Sequence, residues 1–98
     1  MEITLVLMLE SRKHNPIWYL TRAFEMPYVP AVGTRIGIAG GNFALPSPVP
    51  VETVLYYPET GKIYLHLSAN SQAIRMVYER GGWTIEGDEG LFRQDIAA

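Results

Sequence analysis

Few side chains in this sequence can bind metal or move protons: two histidines, ten Asp and Glu, and no cysteine. Without thiols there is no disulfide scaffold, no thiolate zinc site and no cysteine nucleophile. His14 and His66 stand far apart, and neither has a partner at ligand spacing, so no metal site is expected. Glu86, Asp88 and Glu89 alternate with glycines like part of a calcium loop. A working loop needs ligands at about five or six fixed positions, and a solvated acidic turn is the better reading. Ser11 near His14 and Ser68 near His66 lack a third group to orient them. No G-x-S-x-G elbow is present and no triad order can be assembled. The glycines at 37, 40 and 41 lack both the G-x-G-x-x-G spacing and a following Lys-Ser or Lys-Thr, so they form no phosphate cradle. The residues therefore point away from an enzyme and require no cofactor.

Aromatic and apolar residues are the alternative carriers of function. Trp18, Tyr19, Tyr56, Tyr57 and Tyr64 could stack bases, as small barrels do. Against this, Arg12, Lys13, Arg22, Arg35 and Lys62 are scattered and the formal charge is -2, which disfavours nucleic acid as a partner. Between Glu25 and Glu52 the only charged residue is Arg35. The uncharged run from Ile36 to Val51 sets Phe43, Leu45 and Val49 among glycines and prolines. Interface cores are poor in charge and rich in aromatics, so these three residues are the first candidates for contact with a protein partner. The competing reading is a plug folded over the open end of a barrel. Tyr56, Tyr64 and His66 form the second candidate surface. The P-x-P-x-P run from Pro46 to Pro50 favours extended geometry but lacks the basic flank of a signalling-domain ligand.

These residues need a scaffold, and 98 residues with 48% apolar and 18% charged side chains supply one domain spanning 1–98. No apolar run approaches the roughly 18–20 residues that cross a bilayer. Ile3 to Leu9 follows Glu2 and precedes Arg12 and Lys13, the wrong order for a signal peptide, which makes the cytoplasm the default location. This run is the first strand, with Ile3, Leu5, Leu7 and Leu9 on one face and Thr4, Val6 and Met8 on the other. Both faces are largely apolar, which predicts either cover on two sides or self-association. A polar turn over 11–16 leads to a second strand from Ile17 to Met26, with Arg22 as the odd member of its apolar face.

Pro27 and Pro30 enforce an extended connection, followed by a short strand from Thr34 to Ile38. Val51–Tyr57 and Lys62–Ser68 form a hairpin, with Gly61 at a left-handed turn position. A three-residue loop pairs Tyr57 with Ile63 and Leu55 with Leu65, leaving Tyr56, Tyr64 and His66 together on the other face. A four-residue loop from Pro58 suits proline but pairs Leu55 with Tyr64, so the first register is preferred. Asn70 or Ser68 caps a helix over 71–80 that Gly81 and Gly82 end. Trp83 to Ile85 returns as a short strand, and a turn follows over Gly87 to Gly90.

The expected fold is α+β and β-dominant: a small, partly open antiparallel barrel or curled sheet of five to six strands with one C-terminal helix. Such layouts recur in small bacterial and phage domains and carry no activity with them. The expected function is a non-catalytic, self-associating protein-interaction module that works as a homodimer with a protein partner and without a membrane. The alternative is a small-molecule or oligonucleotide binder using the aromatic strand face, identifiable by an apolar pocket at Tyr56, Tyr64 and His66. The melting temperature should stay within about a degree on addition of zinc, calcium, magnesium or ATP, because ligand stabilisation follows occupancy of a native site. An upward shift with calcium would instead give Glu86, Asp88 and Glu89 a ligating role.

Overall fold

The structure, a computed structural model, describes residues 1–10, 17–40 and 43–96. The turn expected over 11–16, with Ser11 and His14, lies outside the described residues, as do Gly41 and Asn42. The chain runs β1 (Glu2–Glu10), β2 (Ile17–Glu25), β3 (Arg35–Ile36), β4 (Ala39–Gly40), β5 (Phe43–Ala44), β6 (Val49–Pro50), β7 (Thr53–Tyr57), β8 (Lys62–Ser68), α1 (Ser71–Arg80), β9 (Thr84–Glu86) and α2 (Glu89–Ile96). The α+β, β-dominant class holds. The barrel does not: the main sheet is open, in the order β7-β8-β1-β2-β9. Nor is the sheet all antiparallel, because β1 pairs with β8 in parallel, Leu5 beside Leu65 and Leu7 beside Leu67.

That parallel pair dictates what the middle of the chain must do. β2 returns antiparallel to β1 and ends with Glu25 beside Glu2. β8 runs with β1, so β7 must run against it, starting from the far half of the sheet where Thr53 pairs with His66 and His66 with Val6. Parallel neighbours need a crossover, and the described residues 26–40 and 43–52 provide it over one face. Ile38, Phe43, Val49 and Val51 from this segment join Ile3, Leu5, Leu7, Trp18, Leu20, Leu65 and Leu67 in one core. The two-residue ladders β3–β6 and β4–β5 hold the cover in shape. Within the uncharged run, Ile38, Phe43, Val49 and Val51 are buried, while Pro46, Ser47, Pro48 and Pro50 are exposed.

The β7–β8 hairpin adopts the four-residue loop, with Tyr57 opposite Lys62, Leu55 opposite Tyr64 and Thr53 opposite His66. The preferred three-residue register is overturned by the turn itself. Thr60 N–H and Gly61 N–H both donate to the Tyr57 carbonyl, at 3.2 and 2.8 Å, and Gly61 sits at φ 71°. Pairing Leu55 with Tyr64 violates no pattern, because both face away from the core while Val54 and Leu65 face into it. Tyr56 takes the core side of the strand, where its position on the sheet's edge leaves it 61% exposed.

Ile74 and Val77 of α1 are fully buried. Asn70 Oδ1 caps the helix by accepting from Ala73 N–H at 2.8 Å, while Ser68 donates to Glu52 Oε2 at 2.9 Å. Arg22 reaches the helix's other end: its guanidinium donates to the Gly81 carbonyl at 2.9 Å and lies over the Phe24 ring. A cation at a helix C-terminus meets orphan carbonyls and the negative end of the dipole, which accounts for a charge on an apolar strand face.

A second helix, α2, replaces the expected turn. Asp88 caps it by accepting from Leu91 N–H at 3.1 Å. Phe92, fully buried, then meets the rings of Trp18 at 5.6 Å and Tyr78 at 4.9 Å. Tyr78 Oη donates to Glu89 Oε1, and Arg93 donates to both, at 3.0 Å each. Hydrogen bonding from Tyr78, then from Arg93, lowers the Glu89 pKa below its ordinary value. A carboxylate depressed in the folded state stabilises above its unfolded pKa, and that contribution is lost as pH falls through the folded value. Amide exchange in α2 should therefore accelerate below the usual carboxylate range before it does so in β1. Simultaneous loss of protection in both would show that this clamp does not hold α2.

Phe43 depends on two glycines. A Cβ on Gly40 would stand 2.7 Å from its ring, and one on Gly81 would stand 3.0 Å from the ring and 2.8 Å from the Val77 carbonyl. Gly81 has an ordinary right-handed φ of -89°, where alanine commonly stabilises by about 0.4–1 kcal/mol. Here Gly81→Ala should instead destabilise by about 1–3 kcal/mol through overpacking, measured by urea unfolding, and a gain in stability would contradict the packing described. Gly61→Val should cost about 1–3 kcal/mol through strain at positive φ, with Thr60→Ala costing clearly less. Equal effects would put the turn elsewhere.

Candidate binding groove

Among the described residues, none of α1, α2 or the crossover lies over the sheet's second face. Alternation places Thr4, Val6 and Met8 of β1, Tyr19 and Thr21 of β2, Leu55 and Tyr57 of β7, Lys62, Tyr64 and His66 of β8, and Glu86 of β9 on it. Val6 is central, with Thr21 directly beside it on one strand and His66 on the other. Tyr19 and Tyr64 stand one pleat away in opposite directions. Their bulk leaves Val6 only 5% exposed although no element among the described residues lies over it. Val6 is the floor of a groove.

The groove encloses about 510 Å³ and is lined by Val6, Tyr19, Thr21, Leu55, Tyr57, Thr60, Lys62, Tyr64, His66 and Glu86. Its aromatic wall is ordered by contact: the Tyr57 and Tyr64 rings meet edge to face at 5.5 Å and 90°. Lys62 lies opposite Tyr57 at one end, and Glu86 lies opposite Tyr19 at the other. The groove is therefore apolar along its floor, aromatic along one wall and oppositely charged at its ends. Hydroxyl, imidazole and ammonium groups around an apolar floor can orient a ligand through hydrogen bonds. Among the described residues no group of three or more His, Asp and Glu gathers at metal-binding distance, here or elsewhere.

The expected site residues divide between the two faces. Tyr64 and His66 line the groove together. Tyr56 does not join them, because the four-residue loop turns it to the opposite side and puts Tyr57 in its place. Phe43 and Val49, each 8% exposed, sit in the core, and Leu45 packs against it half-buried. They lie in the layer over one face of an open sheet, not at the end of a barrel. Tyr19 and Tyr57, expected with Tyr64 only as base-stacking aromatics, line the groove too, while Val6, Lys62 and Glu86 carry no site expectation with them from the sequence. The signal that could have found the hairpin half of them is Pro58, whose fixed φ favours a turn starting at Tyr57.

A second, smaller groove of about 260 Å³ runs between Leu45–Pro50 and the start of α1, reaching Asn70, Gln72 and Met76. No protein-family model matches the chain, and neither the curated proteins nor the solved structures yield a match.

Proposed function

We propose that the chain is a non-catalytic binding module whose open-face groove holds a small, planar, anionic ligand. The observation that carries this reading is the convergence of Tyr57, Tyr64, His66 and Lys62 around the shielded Val6 floor. Its volume of about 510 Å³ falls among small-ligand sites, which occupy roughly 300–1,000 Å³. Tyrosine rings favour a flat partner, Lys62 supplies a counter-charge, and Glu86 at the far end accepts a donor from the ligand. A pocket at the aromatic strand face is the feature that separates the ligand-binding alternative from the interaction module, and it favours the former. Binding without turnover is the activity proposed.

A protein partner is the second reading, favoured by the smaller groove beside the exposed Pro46, Ser47 and Pro48. The two readings separate experimentally. Titration of labelled protein with 4-hydroxybenzoate and with AMP should move the amides of Val6, Thr21 and His66 and leave those of Leu45 and Met76 unmoved. Lys62→Ala should weaken binding about tenfold, the scale of one charge-assisted hydrogen bond, and Tyr64→Ala should abolish it, each with little change in melting temperature. Absence of shifts with every planar anion tried, or shifts confined to residues 45–50, would overturn the groove assignment.

A further inference from the structure

The two edges of the main sheet are built differently. β9 is three residues long, carries Glu86, and lies between Gly82 and Gly87, both at positive φ. A short, charged strand is a guarded edge. β7 is five residues long, Thr-Val-Leu-Tyr-Tyr, with neither charge nor proline, and among the described residues nothing pairs with its outer side. The protection stops just before it. Val51 exchanges both backbone groups with the crossover, donating to the Thr34 carbonyl at 2.9 Å and accepting from Gly33 N–H at 2.8 Å. Among the described residues no backbone hydrogen bond joins residues 26–34 to β7. Tyr56 and Tyr57, 61% and 50% exposed, then project to opposite sides of the bare strand.

We propose that β7 pairs with β7 of a second copy of this chain, antiparallel about a two-fold axis at Leu55. Strand addition at an open edge satisfies backbone groups that otherwise face water. The sequence selects both the occupant and the register. About Leu55, Thr53 meets Tyr57, Val54 meets Tyr56 and Leu55 meets itself, so five uncharged residues match five uncharged residues. A slip of two residues would draw Pro58 into the ladder in one direction and Glu52 in the other. The match also gives the exposed Tyr56 an apolar neighbour in Val54 of the other copy, the cross-strand packing that stabilises sheets. An isologous contact closes at two chains, whereas pairing β7 with the guarded β9 edge would propagate. Leu55 and Tyr57 also line the groove, so the axis sets two grooves side by side on one ten-stranded sheet. The inference does not depend on the ligand reading, because Tyr56 lies on the opposite side of the strand from the groove.

Sedimentation equilibrium over a concentration series tests this. The wild type should show a reversible monomer–dimer equilibrium that stops at two chains, in the weaker affinity range of small interfaces. Tyr56→Lys should weaken it at least tenfold while far-UV circular dichroism and the melting temperature stay those of the folded chain, with Thr53→Lys as the second variant should the first unfold. Met8→Lys, on the open face away from the edge, should leave the dimer intact. A single-chain mass up to about 1 mM, growth beyond two chains, or a dimer dissolved by Met8→Lys but not by Tyr56→Lys would overturn the proposal.

Discussion

The parallel contact between β1 and β8 governs the rest of the molecule. Two strands side by side and running the same way cannot be joined by a hairpin, so the chain between them has to travel across a face. Many small domains use a helix for that crossing. Here residues 26–40 and 43–52 cross without a helix, stitched by two-residue ladders and stiffened by prolines. An extended crossing must shed charge and bring apolar side chains of its own, and Phe43, Val49 and Val51 do so against Leu5, Leu7 and Leu65. The two helices complete the same layer, α1 through Ile74 and Val77 and α2 through Phe92.

With that face covered, no element among the described residues lies over the other. That asymmetry makes a groove available without a cavity in the core. Val6 is screened by its cross-strand neighbours, and those neighbours carry the polar tips that a ligand could meet. The groove is therefore a property of strand register: a slip of one residue in β7 would replace Leu55 and Tyr57 with Val54 and Tyr56. Turn chemistry at Pro58 and Gly61 thus acts on the composition of a surface several residues away.

Much of the fold can be read from the residues. Alternation in Ile3–Leu9, the Asn70 cap and the Gly81 stop locate β1 and α1 because local physics decides them. Strand direction is different. Nothing in the pattern of β1 or β8 distinguishes a parallel neighbour from an antiparallel one, so an antiparallel barrel reads as well as an open mixed sheet. The second helix stays hidden because Gly87-Asp88-Glu89-Gly90 has a turn's composition, and only the docking of Phe92 between Trp18 and Tyr78 makes Asp88 a cap. Phe43 shows the same limit in the site: an uncharged, aromatic, proline-flanked segment has one composition whether it meets a partner or its own sheet.

Which face is covered can be measured directly. A neutral, soluble gadolinium chelate added to the labelled protein broadens protons according to their distance from solvent. Broadening should be strong for the rings of Tyr57 and Tyr64 and weak for Phe43, Val49 and Val6, the last shielded at the floor of the groove. Strong broadening of Phe43 and Val49 together with protection of Tyr57 and Tyr64 would reverse the two faces and contradict both the crossover core and the open groove.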